Sequence, residues 1–516
     1  MRRFIIAAAA ACALSAPVLA TDGPVPLSVD VAQPGATIDR HIFGQFAEHL
    51  GHGIYDGIWV GPDSKIPNVR GIRSDVVAAL KDLHVPDVRW PGGCFADEYH
   101  WRRGIGPNRQ PMMNANWGGV IEPNSFGTDE FLDFIHQIGS EAYVSVNVGS
   151  GTPGEAAEWL EYMTASKADA IGAERAKNGH AEPYKIAFVG LGNESWGCGG
   201  SMSPETYIGE LKRFARFVRN YNPDQQMARI AVGPNGGDTA YTEAVMKAYQ
   251  NHDWAWDIEG LSLHNYVVGA SWPPKMTATG FGEKDYAVVL SEALGMDGLL
   301  AKHIAIMDKY DPSKKVALVV DEWGAWYAAT PGSHPGFLAQ QNSQRDALLA
   351  AVSLNIFARH ADRVRMANIA QMINVLQAMI LTDGPKLVLT PTYHVFKMYV
   401  PFQDASVLPV HFAAGSYRFD KITLPRIDAI AAKDKAGKIW LALTNLDPNQ
   451  PATVAIAAGS AGKLVGQTVA ATKIDAVNSF EAPNAVTPKP VSAAAADGKI
   501  VLSLAPASVT VVALEP

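Results

Sequence analysis

Between residues 42 and 372 the chain repeats one rhythm: a short, nearly unbroken apolar run, a loop, a stretch with apolar residues at helical spacing, then another apolar run. Eight such runs stand at 42–47, 87–90, 142–148, 185–192, 228–232, 258–264, 315–321 and 364–372. Continuous rather than alternating hydrophobicity is what strands buried on both faces of a parallel sheet require. Stretches at 74–83, 128–138, 154–164, 204–221, 241–251, 298–310 and 344–360 read as helices. Ser74 is expected to cap the first of these. Thr128, followed by Asp129 and Glu130, supplies a cap and acidic charge for the second. Eight strand–helix alternations with right-handed crossovers predict an α/β fold of the (β/α)8 TIM-barrel type. An open doubly wound sheet would call for a phosphate-binding glycine loop, and the sequence has none of that form.

After about residue 402 the rhythm changes. From 426 onward short β-like runs at 439–445, 452–457, 500–505 and 509–514 are punctuated by turns such as Asp447-Pro448-Asn449 and Asp497-Gly498. These predict a C-terminal β-sandwich of jelly-roll-like form, to which a run at 25–31 is expected to add a strand. The expected layout is a signal peptide at 1–20, an N-terminal segment joining the sandwich at 21–40, a catalytic barrel at 41–402 and the sandwich at 403–516.

The start of the chain changes the picture of where the protein works. Arg2 and Arg3 precede an apolar run at 4–14, small residues surround Ala20, and Thr21-Asp22 turns polar. That pattern reads as a secretory signal, so export to periplasm or medium is expected. No other segment is apolar enough to span a membrane, so no membrane partner is expected. The composition, 516 residues with 48% hydrophobic, is that of a globular protein. A net charge of −8, two units more negative without Arg2 and Arg3, argues against a nucleic-acid partner and suits a neutral substrate. Of three cysteines, Cys12 leaves with the signal. Cys94 and Cys198 are too few for a disulfide scaffold or, alone, a zinc site, although an oxidising compartment permits one bridge. His49 and His52 follow Glu48 without the His-Glu-x-x-His spacing of a zinc enzyme, and no serine nucleophile elbow occurs. No metal or other cofactor is expected.

In a (β/α)8 barrel the chemistry sits at the C-terminal ends of the strands, which confines the search to eight places. The fourth strand runs into Asn193-Glu194-Ser195-Trp196 and the seventh into Asp321-Glu322-Trp323-Gly324. These strands lie across the barrel mouth from each other, so Glu194 and Glu322 can meet over one sugar ring. Glycoside cleavage requires such a pair: one carboxyl protonated to release the leaving oxygen, one ionised to attack the anomeric carbon or activate water. Other strand ends add Glu48 and His49 (first), Arg89 and Cys94 (second), His264 and Tyr266 (sixth), and Gln371 and Asn374 (eighth). Arg89 can hold a carboxylate ionised, and Tyr266 can hydrogen-bond the same group. Glu48, Asn193 and Gln371 suit sugar hydroxyls. Trp117, Trp323 and Trp326 offer flat faces for sugar rings.

At these residues the chain resembles glycoside hydrolase family 51, the α-L-arabinofuranosidases, over about 42–377 and weakly into the sandwich. The most specific stretches are 43–55, 89–101, 190–200, 262–266, 321–327 and 370–374. The resemblance implies a clan A barrel and a retaining double displacement, with Glu194 as acid/base and Glu322 as nucleophile. It implies that Glu48, Asn193 and Gln371 bind arabinofuranose hydroxyls, that Arg89, His264 and Tyr266 orient the carboxylates, and that Trp117 and Trp326 flank the sugar. It places Cys94 against the sugar as an amide-like or thiol contact. Cys198 lies in the loop after Glu194, where a bridge to Cys94 is conceivable, but a buried free thiol is the expected state. The implied substrate is an arabinofuranosyl-containing oligo- or polysaccharide such as arabinoxylan or arabinan, and the implied assembly a homo-oligomer. The alternatives are the same scaffold acting as an endo-glucanase or xylosidase, and a non-catalytic carbohydrate-binding protein, which would keep the tryptophans without needing paired glutamates.

Overall fold

The computed structural model describes residues 23–459 and 461–516, so the expected signal segment at 1–20 lies outside the described residues. Eight parallel strands close into a barrel. They are β1 (Gly44–Phe46), β2 (Asp87–Trp90), β3 (Glu141–Val146), β4 (Phe188–Leu191), β5 (Ala228–Ala231), β6 (Gly260–Val267), β7 (Ala317–Ala325) and β8 (Val364–Ile369). Each pairs with its chain neighbour, and β8 returns to β1 through Asn368 opposite Gly44. Tyr143, Ile230, Val319 and Met366 form a buried plug inside the barrel. The interior is a packed core rather than a pore, and only the strand ends above it are left for chemistry.

The seven expected helices are present, though several of their ends differ, and helices at Ala170–Lys177 and Pro391–Tyr399 were not expected. Ser74 does not cap its helix: the capping position is Arg73, and Ser74 is the first helical residue. Arg73 is buried and its guanidinium reaches Asp75 and the carbonyls of Gly384 and Lys386, which fixes the chain just before the helix. Thr128 does not cap either. Gly127 does, its N–H donating to Glu130 Oε2 at 2.9 Å. A Cβ at Gly127 would fall 1.9 Å from the Gly104 carbonyl oxygen, so no side chain fits there. The Thr128 hydroxyl instead accepts from Trp159 Nε1. The helix expected from 298 begins at Glu283. Gly295 and Gly298 break its sequence pattern at about 1 kcal/mol each, a cost offset by burial of Tyr286, Val289, Leu290 and Met296.

Beyond the barrel, ten strands form one continuous hydrogen-bonded sheet whose two end strands are Ser406–Leu408 and Val410–Phe412. Those ends are neighbours in sequence, so the sheet doubles over on itself. It encloses Leu408, Leu441, Val454, Leu502 and Val512 as a sandwich core. The strand Val25–Val29 pairs with Val410–Phe412 and with Ala452–Ala457. The helix Gln344–Arg359 is buried on nearly every face because it lies between the two layers. Its Gln344 donates to the Ala507 carbonyl at 2.7 Å and its Asn355 to Asp428 at 2.8 Å. The architecture is the expected barrel with a C-terminal β-sandwich. No helix among the described residues is long and apolar enough to cross a membrane.

Candidate active site

Two strands present glutamates to the barrel mouth by different local means. β7 continues through Glu322, and a bulge between Val320 and Trp323, where its register against β6 and β8 slips by one residue, turns the adjacent Asp321 and Glu322 both inward and Trp323 outward. β4 ends at Leu191, and Gly192 (φ 96°) turns the chain into a loop where Glu194 itself adopts φ 38°. A left-handed conformation at a residue with a side chain costs of order 1–3 kcal/mol and persists only where surroundings impose it. Here the buried carboxylate of Asp97 imposes it. One oxygen accepts from Val148 and Gly149 N–H at 2.8 Å each, the other from Asn193 N–H at 2.9 Å. The loop closes with Gly197 and Gly199 N–H both donating to the Glu194 carbonyl.

Glu322 receives donors from two sides. Arg89 Nη1 lies 2.7 Å from Oε1 and the Tyr266 hydroxyl 2.8 Å from Oε2. Arg89 is itself held over the Phe46 ring, and its Nη2 donates to Asn193 Oδ1 at 2.6 Å. The loop after β2 crosses so close that a Cβ at Gly93 would sit 2.9 Å from Glu322 Oε1.

His264 joins the two glutamates. Its Nδ1 is 2.9 Å from Glu194 Oε1 and 3.4 Å from Glu322 Oε2, while Nε2 faces Asp321 Oδ1 at 3.2 Å. Burial opposes charge on this imidazole, but Glu322, Asp321 and Glu194 outweigh it and push its pKa up to about 10. Asp321 also accepts from the Tyr143 hydroxyl at 2.7 Å. Burial pushes Asp321 up, yet Arg89 and His264 outweigh burial and hold it below the usual carboxylate range. Glu194 goes the other way: burial, with the Glu322 charge adding to it, raises its pKa against the His264 hydrogen bond. One oxygen of Glu194, one of Glu322 and a ring nitrogen of His264 all lie within 4.8 Å of one another.

Glu48 stands beside this pair and accepts four hydrogen bonds, from Gly93 N–H (3.0 Å), Phe95 N–H (3.1 Å), Trp117 Nε1 (2.8 Å) and Gln371 Nε2 (3.0 Å). Burial and the Glu322 charge push it up to about 7, opposed by the Phe95, Trp117 and Gln371 donors. Trp117 and Trp326 stand 6.5 Å apart between centroids, and Leu338 and Leu376 complete an apolar wall. The predicted residues therefore gather in one place with two depths. Glu48, Cys94, Trp117, Tyr266, Trp326 and Gln371 line the pocket with Glu194 and Glu322. Arg89, Asn193 and His264 are buried among the carboxylates and hold them.

Other expectations are corrected. Cys94 and Cys198 form a disulfide, not free thiols; the loops after β2 and β4 bring their Cα atoms to 5.5 Å. Cys94 consequently has no S–H to donate. Trp323 is no sugar platform: it faces outward and packs against Phe357 and Phe396. His49 is buried against Phe95, and Asn374 braces the His52 carbonyl and Thr382, so neither reaches the pocket. Sequence reasoning missed Tyr143, Leu338 and Leu376, which carry no motif, and passed over Asp97, inside the distinctive 89–101 stretch, and Asp321, whose place beside Glu322 was a signal. A larger cavity of about 930 Å³ lies at the opposite end of the barrel, against Glu141 and Lys185–Ala187, away from every strand-end residue named above.

Comparison with known proteins gives a consistent result. The family description "Alpha-L-arabinofuranosidase 1 domain" matches residues 79–266, and "Alpha-L-arabinofuranosidase C-terminal domain" matches 321–508. A relative from Bacteroides ovatus, named an intracellular exo-alpha-L-arabinofuranosidase, is 47% identical over 487 residues, 93% of each chain. The crystal structure of the GH51 arabinofuranosidase from Xanthomonas axonopodis pv. citri is similar at a TM-score of 0.92 and 48% identity, over 95% of this chain and all of that one. An arabinose complex of the Thermotoga maritima α-L-arabinofuranosidase is similar at 0.81 and 29% identity, with the same coverage. The name of the Bacteroides relative contradicts the expectation of export, which rested on residues 1–20 alone, and that expectation is withdrawn. With its barrel, its sandwich and its paired strand-end glutamates, the chain belongs to the α-L-arabinofuranosidases of glycoside hydrolase family 51.

Proposed function

We propose that this chain is a retaining, exo-acting α-L-arabinofuranosidase that removes terminal arabinofuranosyl residues from arabinoxylan, arabinan or arabino-oligosaccharides. The reading rests on one observation: oxygens of Glu194 and Glu322 come within 4.8 Å of each other. A retaining enzyme needs its carboxyl groups about 5–5.5 Å apart, whereas inversion needs about 6.5–9.5 Å to admit water between them. The names borne by the relatives support the substrate class.

In the first step Glu194, whose pKa is raised, gives its proton to the departing oxygen as Glu322 attacks the anomeric carbon. The leaving group departs and a glycosyl ester forms on Glu322. In the second step Glu194, now ionised, takes a proton from water as that water displaces Glu322. Arg89 and Tyr266 hold Glu322 aimed and complement its negative charge before attack. Glu48 and Gln371 take up ring hydroxyls. Asn193, whose Nδ2 has only a 3.7 Å contact with Cys198 sulfur, keeps a donor for another. Trp117 and Trp326 flank the sugar, and a pocket closed by Leu338 and Leu376 favours one terminal ring over a long chain. Residues 41–402 form the catalytic unit, with 21–40 and 403–516 as its sandwich.

The test is a panel of nitrophenyl arabinofuranoside, nitrophenyl xyloside and glucan, with proton NMR of the first-formed sugar. Fast release from the arabinofuranoside with α-arabinose appearing first is expected. Faster cleavage of xyloside or glucan, or β-arabinose first, overturns the reading.

A further inference from the structure

We propose that Cys94, Cys198 and Glu194 form a thiol-gated binding site for a divalent cation of the zinc class at the rim of the pocket. The two sulfurs and a Glu194 carboxylate oxygen lie within 4.8 Å of one another. Cys198 Sγ touches Glu194 Oε2 at 3.6 Å. Cys198 is exposed and Cys94 half-buried, so both a reductant and an ion can reach them.

While the disulfide is intact the sulfurs are poor ligands and Glu194 is free to carry its proton. A low-molecular-weight thiol opens the gate. Two R–SH give one R–S–S–R, the Cys94–Cys198 bond breaks, and each cysteine sulfur leaves with one proton and one electron. A zinc ion then binds two thiolates and releases both thiol protons. With zinc–sulfur bonds of about 2.3 Å in tetrahedral geometry the sulfurs need to stand only about 3.8 Å apart. Cα atoms 5.5 Å apart allow that by side-chain rotation alone. Glu194 is the third ligand and water the fourth, a coordination left open on the pocket side. Two thiolates select zinc over magnesium or calcium. His264 on Glu194 Oε1 orients the carboxylate from behind, as outer partners of metal ligands do. Electrostatics also suit the ion: two thiolates with Glu194, Glu322 and Asp321 outnumber the cations Arg89 and His264. The consequence for activity rests on Glu194 being the acid/base. A lone pair committed to zinc cannot hold the proton that the leaving group needs, so the metallated enzyme is silent.

The experiment compares the oxidised chain with chain reduced by a phosphine and desalted under nitrogen. Zinc binding is measured by equilibrium dialysis with atomic absorption, and thiolate ligation by the ultraviolet charge-transfer band that cadmium gives on sulfur. One zinc per reduced chain, under a tenth of that per oxidised chain, and at least a tenfold loss of hydrolysis that EDTA restores are expected. Cys198→Ala, reduced or not, should lose the zinc and the band. Equal zinc uptake by oxidised and reduced chain, or full uptake by Cys198→Ala, overturns the site. Stoichiometric, thiolate-bound zinc with undiminished hydrolysis supports the site and instead overturns Glu194 as acid/base.

Discussion

Glu322 and Glu194 are the same residue type, a few ångströms apart, and their surroundings treat them differently. Glu322 is set by strand geometry and receives a guanidinium and a phenol. Glu194 is set by a left-handed loop, receives one imidazole, and has a disulfide sulfur against its other oxygen. A guanidinium and a phenol donate directly to the first; burial and the neighbouring charge favour the neutral form at the second. The division of labour proposed for these two identical side chains thus rests on what touches them, not on the side chains themselves.

The largest effect is expected from Glu322→Ala, which removes the proposed attacking group: kcat/KM should fall by at least about 10⁴-fold on every substrate. Wild-type rates in that variant would return the chain to the rival class of non-catalytic binders. Tyr266→Phe removes one donor to Glu322. A hydrogen bond to a charged group is worth about 1.5–3 kcal/mol, so turnover should drop about tenfold to about a hundredfold with the fold intact by circular dichroism. The charge coupling can be read separately. Activity should fall as pH rises through the raised Glu194 pKa, because the proposed first step needs that proton. Glu322→Gln removes the negative neighbour and should lower the Glu194 pKa, seen by carbon-13 NMR titration of labelled glutamate; an unmoved titration denies the coupling. The smallest effect on chemistry is expected from Trp323→Ala. Stability in urea should fall by about 3–5 kcal/mol, while kcat per folded molecule stays near wild type. A lost kcat with unchanged stability would put Trp323 back in the pocket.

Both glutamates were legible because their positions follow from one rule, that barrel chemistry gathers at strand C-termini, and each stands straight after an apolar run. The outward turn of Trp323 was not legible in the same way, because a bulge at Asp321–Glu322 breaks the alternation and leaves two successive carboxylates facing in. The helix starts at Ser74 and Thr128 were misread because the capping positions are set by distant partners, Gly384 and Lys386 for Arg73 and Gly104 for Gly127. The disulfide and the role of Asp97 were not legible for a related reason. Each depends on how far two loops lean together over the mouth, a distance that periodicity does not carry. The apolar wall at Leu338 and Leu376 comes from long loops after β7 and β8, where no local pattern separates a pocket residue from a packed one.

The central claim is that Glu194 handles protons while Glu322 forms the bond to sugar. The most direct test is Glu194→Ala acting on nitrophenyl arabinofuranoside, whose leaving group departs without acid help, with azide added to replace water in the second step. The account predicts a rate restored by azide and an arabinofuranosyl azide product of the same anomeric configuration as the substrate. No rescue, or an azide of inverted configuration, would contradict it.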